Sequence, residues 1–471
     1  MHVRATPGIV SMIVGEAGHL STSVLGVACF GLALAAAVYF LVTRARNAGM
    51  LGPLVVGALL RLGVMLIAHQ GSLSLGEGGF LQLDDATYAI QAQDLAAHWR
   101  AGQFIDPAGP VGSYQFGFPV LIGAVYALVG SQLLAAKLVN VLAGAATVVV
   151  TGLIGKHVLG EAAGRRVAWL VALAPGVVWW SAPLFKEAVA TLLVAGAILA
   201  ILRLPRSWPV LSVLFAILLV VRSPSALVLA ACLAISLLLA ARQADTPIAW
   251  KPIAIGGLAG IGVIGVGIFL LSSGHVGPLI NNYTGTLRSM FHRYQGGNAA
   301  AIPVDTVKSF LTPIPWAFDL GTRSWDRGLY PGMWVWYAVY PLAAVGCWRL
   351  RRRPELALLA LTILLTILVT SSSSGFIFRQ RSTVEPLILV LACAGLSSWR
   401  MGARLGSAGL AVVAVAATAQ SGSAPVGLAV AAGAALLFAI SRLLPDDDLL
   451  EPLPPSPLVQ VVAPRGPPSR G

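Results

Sequence analysis

Asp84 and Asp85 stand next to each other in the segment LQLDDATYAIQAQDLAAHWR, residues 81 to 100. Paired carboxylates are the residue types of general acid–base work. Acids are scarce here: the chain holds 18 Asp and Glu in 471 residues, and charged residues make up only 10%. Three of those 18 fall between Asp84 and Asp94. Tyr88, Gln91 and Asp94 follow the pair at helical spacings, so an amphipathic surface helix is expected from Asp84 or Asp85 onward. An N-cap role for Asp85 is the plain structural alternative.

Other charges sit where charges are costly. Lys186 and Glu187 lie in WWSAPLFKEAVATLL, with apolar sequence on both sides. Ionisable residues so placed are functional candidates, or a mutual ion pair at a span end. Arg379 and Arg381 in GFIFRQRSTVEPLILVL call for an anionic partner, and guanidinium groups bind phosphate in a fork. Arg288 and Arg293 lie in NNYTGTLRSMFHRYQGG, close to Tyr283 and Tyr294. These tyrosines and Trp316 either stack on sugar rings or pack the loop on the membrane. Arg222, after Val221, reads as a solvated helix end. His292 has no second His or Cys nearby, so no metal site is expected there, although a divalent cation elsewhere stays open.

The elements that must position these residues are membrane helices. Apolar residues make up 57% of the chain and mean hydropathy is +0.83. Apolar runs of about 20 residues, the length that crosses a bilayer, recur from end to end. They would not arise from the alternating strands of a β-barrel. The fold class is therefore an all-α polytopic membrane protein. Thirteen spans are expected, at roughly 21–43, 51–69, 132–154, 167–183, 187–203, 207–221, 224–241, 251–271, 331–349, 355–372, 383–399, 405–421 and 424–442. The first is too long for a signal-peptide core and is expected to be retained. Phe118 to Val129 is too short to cross and reads as re-entrant or interfacial. The cysteines, Cys29, Cys232, Cys347 and Cys393, all fall in apolar runs and read as small packed hydrophobes.

The net charge of +13 does not point to nucleic acid, because Lys and Arg gather in short loops as the positive-inside rule requires. Arg44 and Arg46, then Lys156, Arg165 and Arg166, then Arg203 and Arg206, then Arg242 and Lys251, then Arg349 with Arg351 to Arg353, then Arg400 and Arg404 all fall on one side if Phe118–Val129 does not cross. That side is expected to be cytoplasmic. The loops 70–131 and 272–330, the turn at Lys186–Glu187 and the segment 371–381 are then extracytoplasmic. Residues 1–442 form the membrane domain. The Pro-rich tail 443–471 is expected to be disordered and cytoplasmic.

In this order and sidedness the pieces resemble the GT-C integral-membrane glycosyltransferases. The likeness is to the branch of protein O-mannosyltransferases and aminoarabinose transferases, glycosyltransferase family 39-like. That branch carries DE-x-x-Y-x-x-x-A in its first external loop, here Asp84-Asp85-Ala86-Thr87-Tyr88 and then Ala92. A Pro-containing amphipathic helix follows, here Gly117-Phe118-Pro119. After it come a basic turn, here GKHVLGEAAGRR, and a second external acid after Pro and Ser, here Glu187. A late external Arg precedes a Pro-containing span, here Arg379 or Arg381 before Glu385-Pro386.

The resemblance implies a GT-C-like bundle and a polyprenyl-phosphate sugar as donor, with no cofactor. It implies one inverting displacement outside the membrane, with Asp84, or else Asp85, as general base. Glu187 would orient the acceptor or hold Lys186. Tyr88 belongs to the motif. Lys186, Arg379, Arg381, Arg288 and Arg293 would stabilise the departing phosphate. The acceptor, whether protein, lipid, glycan or metabolite, is left open. Two other readings stay open: a polysaccharide polymerase or ligase, which would lean on Arg379, Arg381 and His292, and a transporter or flippase of lipid-linked sugars. The expected sidedness has a direct check. A Thr87→Cys variant should react with an impermeant thiol reagent from outside; labelling only after permeabilisation would overturn the topology.

Overall fold

The computed structural model describes residues 23–103, 116–243, 330–371, 381–396 and 453–462. The expected spans 251–271, 405–421 and 424–442, the loop 272–330 with Arg288 and Arg293, and Arg379 lie outside them. Every regular element among the described residues is a helix. These are α1 (Val24–Asn47), α2 (Leu51–Ser74), α3 (Leu83–Arg100), α4 (Gly117–Val129), α5 (Leu133–Leu159), α6 (Glu161–Leu173) and α7 (Pro175–Trp179). They continue with α8 (Lys186–Ile201), α9 (Trp208–Gln243), α10 (Tyr330–Arg349), α11 (Pro354–Ser371), α12 (Glu385–Leu396) and α13 (Pro457–Val462). Four of them, α1, α2, α5 and α9, are long and apolar enough to cross a membrane. The chain is an all-helical membrane protein.

Burial separates the centre from the periphery. Of the apolar window of α5, 56% is buried within the bundle, against 6% for α1. So α5 is a core helix, while α1 keeps most of its apolar surface, and Cys29, facing outward. The helices α10 and α12 cross at backbone contact. A Cβ on Gly346 would fall 1.8 Å from the Leu391 carbonyl oxygen, and one on Gly395 would fall 2.0 Å from that of Leu342. Small residues at a membrane-helix crossing allow this approach.

The expected span at 167–183 is not one continuous helix. Pro175 has no N–H and pushes the residue before it to extended backbone. Ala174 accordingly has φ −62° and ψ 116°, and α6 ends there. This strands carbonyls inside the bundle. Arg61, fully buried on α2, takes them up: its guanidinium donates to Val171 O at 3.0 Å, Ala172 O at 3.2 Å and Gly57 O at 2.9 Å.

The expected spans 207–221 and 224–241 are the two arms of α9, which breaks at Arg222 (φ −157°, ψ 72°). Both ends of α9 lie at the same end of the bundle. Just before the first arm, Arg203 donates to His157 Nε2 at 3.3 Å. At the end of the second, Gln243 donates to the Arg352 carbonyl, and the adjacent Arg353 reaches Val158 O at 3.5 Å. Arg222 is thus the apex of a hairpin.

These contacts also gather the basic clusters. The Arg44–Arg46 end of α1, the Lys156–Arg165 turn, Arg203, Gln243 and the Arg349–Arg353 turn all meet at one end, where Lys156 pairs with Glu161 at 3.0 Å and Arg349 donates to Ala394 O at 3.2 Å. Asp85, Glu187, Arg222 and Arg381 lie at the other. The short α4 begins against Val220 and Val221 at this second end. It stays there, since Arg100 of α3 donates to the Ala127 and Tyr126 carbonyls near its close.

Part of the tail expected to be disordered is ordered. Residues 453–462 dock on the basic end through α13, where Leu458 is fully buried. The buried Glu355 at the start of α11 accepts from the Ser456 hydroxyl and, at 3.3 Å, from the Leu458 amide. Arg353 holds the Pro454 carbonyl. This anchor is one Leu and one distant carboxylate, which leave no periodic trace in the sequence.

Removing the cap on α6 should be costly. Arg61→Ala leaves buried carbonyls without donors and is expected to lower stability by about 1–3 kcal/mol, read as a lower melting midpoint in detergent. An unchanged midpoint would show that the carbonyls find other donors.

Candidate functional site

The acidic pair begins α3, and its two members have opposite surroundings. Asp84 is exposed in the first turn, where a negative charge suits the helix dipole. Asp85 is fully buried. Its Oδ2 accepts from the Leu81 amide at 3.0 Å and its Oδ1 from the Leu184 amide at 2.9 Å. The Lys137 ammonium stands 3.7 Å from Oδ2 and donates to the Gly79 carbonyl at 2.6 Å. Burial pushes the Asp85 carboxyl above its ordinary range, and Lys137 and the two amides work against that push. Asp85 is a clamp: it ties α3 to the 180–185 segment before α8 and, through Lys137, to α5. Asn140, one turn further along α5, holds the same segment by donating to Pro183 O at 2.6 Å and Phe185 O at 2.8 Å.

That segment delivers Lys186 and Glu187. Lys186 opens α8 and is half-buried. Glu187 is buried, and its carboxylate pairs across helices with Arg222 at 3.8 Å. Glu187 therefore has a cationic partner from another helix, and Arg222 is no solvated helix end: it is 3% exposed. Tyr88 sits beside these groups with its ring edge-to-face on Phe118, centroids 5.3 Å apart, and packs with Trp179, Trp180 and Phe185.

Arg381 is at the same end but is engaged within the protein. It is 3% exposed, donates to Glu385 at 3.0 Å and to the Tyr340 hydroxyl at 3.1 Å, and stacks over Trp336. Glu385 in turn lies against Gly176, where a Cβ would come within 2.4 Å of its Oε2. Thr191 of α8 joins the two groups, with its hydroxyl 3.4 Å from the Ser382 carbonyl. Arg379, Arg288 and Arg293 lie outside the described residues. Among the described residues no three His, Cys, Asp or Glu side chains converge as metal ligands.

The structure therefore brings Asp84, Asp85, Tyr88, Lys186, Glu187 and Arg381 to one end of the bundle. It adds Lys137, Asn140 and Arg222. Lys137 in LLAAKLVNVLAG had a readable signal, since a lone Lys in an apolar run demands a partner. Asn140 had none. No family model and no curated protein matches the chain.

The clamp can be tested by double-mutant cycle. Lys137→Met alone strands the buried Asp85 charge and should cost about 3–5 kcal/mol. Combining it with Asp85→Asn should restore much of the loss in thermal stability. Equal losses in the single and double variants would show that the two groups are not coupled.

Proposed function

We propose that this chain is a GT-C-like membrane glycosyltransferase of the cell membrane, built on about 13 spans. It moves a sugar from a polyprenyl-phosphate donor to an acceptor hydroxyl at the extracytoplasmic face. The observation that carries this reading is the division of labour in the acidic pair. Asp85 is spent on the clamp, while Asp84 is held exposed beside it. A carboxylate that must take a proton from an incoming hydroxyl needs that exposure.

In the proposed step Asp84 removes the acceptor proton as the acceptor oxygen attacks the anomeric carbon. The bond from that carbon to the phosphate oxygen breaks, and the configuration inverts. Polyprenyl phosphate leaves with the electron pair, and nearby cations offset the charge that develops on it. Lys186 and Arg222 are the described cations for this task. Arg381, fixed by Glu385 and Tyr340, is better suited to holding α12 against α10. Tyr88 and Trp179, the partly exposed rings of this cluster, offer apolar faces to a sugar. The opposite end, with its Arg and Lys clusters, is the cytoplasmic one under the positive-inside rule.

Membranes carrying Asp84→Asn, supplied with a labelled polyprenyl-phosphate sugar, should transfer about 10²–10⁴-fold more slowly than wild type. Thermal stability should change little, because Asp84 is exposed. Full transfer by Asp84→Asn would end the general-base role. Wild-type vesicles that move lipid-linked sugar across the bilayer without transferring it would favour the transporter reading.

A further inference from the structure

The hairpin apex in α9 has the makings of an anion site. Arg222 interrupts the helix in extended backbone, and a second arm starts at once with Ser223-Pro224-Ser225. Proline near the first helical position is preset for such a start. The first turn of a long helix carries amide groups and a positive dipole end suited to anions. Broken membrane helices use such half-helix starts to hold anionic groups of substrates.

A second observation points to a ligand. Ser223 and Ser225 are 1% and 2% exposed, and neither hydroxyl meets a protein hydrogen-bond partner. Ser223 stands where a serine would cap the first turn, yet its hydroxyl makes no such bond. A buried hydroxyl without a partner is unfavourable, and two of them flank one proline next in sequence to a buried arginine. Cationic side chains stand at this point of the chain. Arg222 lies 3.8 Å from the Glu187 carboxylate, and Lys186 is the residue before Glu187.

We propose that Arg222, Ser223 and Ser225 form a phosphoryl-binding site, which takes the phosphate of the lipid-linked donor. The lipid assignment rests on the glycosyl-transfer reading; the phosphoryl site itself does not. Bound there, the phosphate oxygens accept from the guanidinium and the two hydroxyls, and the leaving group is held at the same end of the bundle as Asp84.

Binding, measured without any sugar transfer, tests the site. Full-length protein in nanodiscs would be titrated with labelled polyprenyl phosphate, with polyprenol and with inorganic phosphate. Wild type should hold polyprenyl phosphate and not polyprenol. Arg222→Gln should weaken the phosphate-bearing lipid by about tenfold or more. Since that variant leaves Glu187 buried without its cation, the Ser223→Ala/Ser225→Ala variant provides a gentler arm. It should weaken binding several-fold with an unchanged melting midpoint. If only inorganic phosphate binds, and does so through Arg222, the site stands and its source is free phosphate. If folded Arg222→Gln and the double serine variant both bind as wild type does, or wild type binds neither phosphate probe, the site is wrong. Asp84→Asn should bind the lipid normally while losing transfer. Normal transfer by that variant sinks the base role and leaves the phosphoryl site intact.

Discussion

One end of this bundle depends on one buried carboxylate. Asp85 is enclosed, and a charge so placed is tolerable only with hydrogen bonds and a counter-ion. It obtains them from three places in the chain: the Leu81 amide just before its own helix, the Leu184 amide 99 residues away, and Lys137 on the central helix. Each partner therefore fixes a different element. If Leu184 were to move, the carboxylate would lose an amide; if α5 were to shift, it would lose its cation. The position of Asp84 follows from this, since it is the residue immediately before the clamp.

Electrostatics at the two ends of the bundle differ in kind. The basic end carries many exposed cations in short turns, partnered by helix-end carbonyls and by Glu161. Among the described residues, the other end holds three buried pairs beside the exposed Asp84 and half-buried Lys186: Asp85 with Lys137, Glu187 with Arg222, Arg381 with Glu385. Two of these pairs run between helices, and buried pairs of this kind are held for geometry more than for added stability. Three such pairs hold side chains in set positions at the end of the bundle where Asp84 is exposed.

Much of the fold was readable because a membrane span has to be an apolar run. The helices α1, α2, α5, α10 and α11 fall where such runs lie, and the short Phe118–Val129 run stays at one end as its length requires. The break after α6 has a local signal in Pro175, but hydropathy runs on through it. What makes the break tolerable, Arg61, lies more than a hundred residues earlier. The site was legible as a set of residue types and illegible as a set of partners. Asp84, Asp85 and Glu187 announce themselves by scarcity. That Asp85 belongs to Lys137, and Glu187 to Arg222, depends on helix packing that no local spacing encodes. Arg222 was misread for that reason: beside Val221 it looks like a helix end, and it is one, but the end faces protein.

The crossing of α10 and α12 has a mechanical consequence. Two helices that touch backbone to backbone at Gly346 and Gly395 cannot roll or slide past each other without steric collision. They behave as one beam. The Arg381–Glu385–Tyr340 cluster is a cross-bolt near one end of it, joining the start of α12 to the middle of α10.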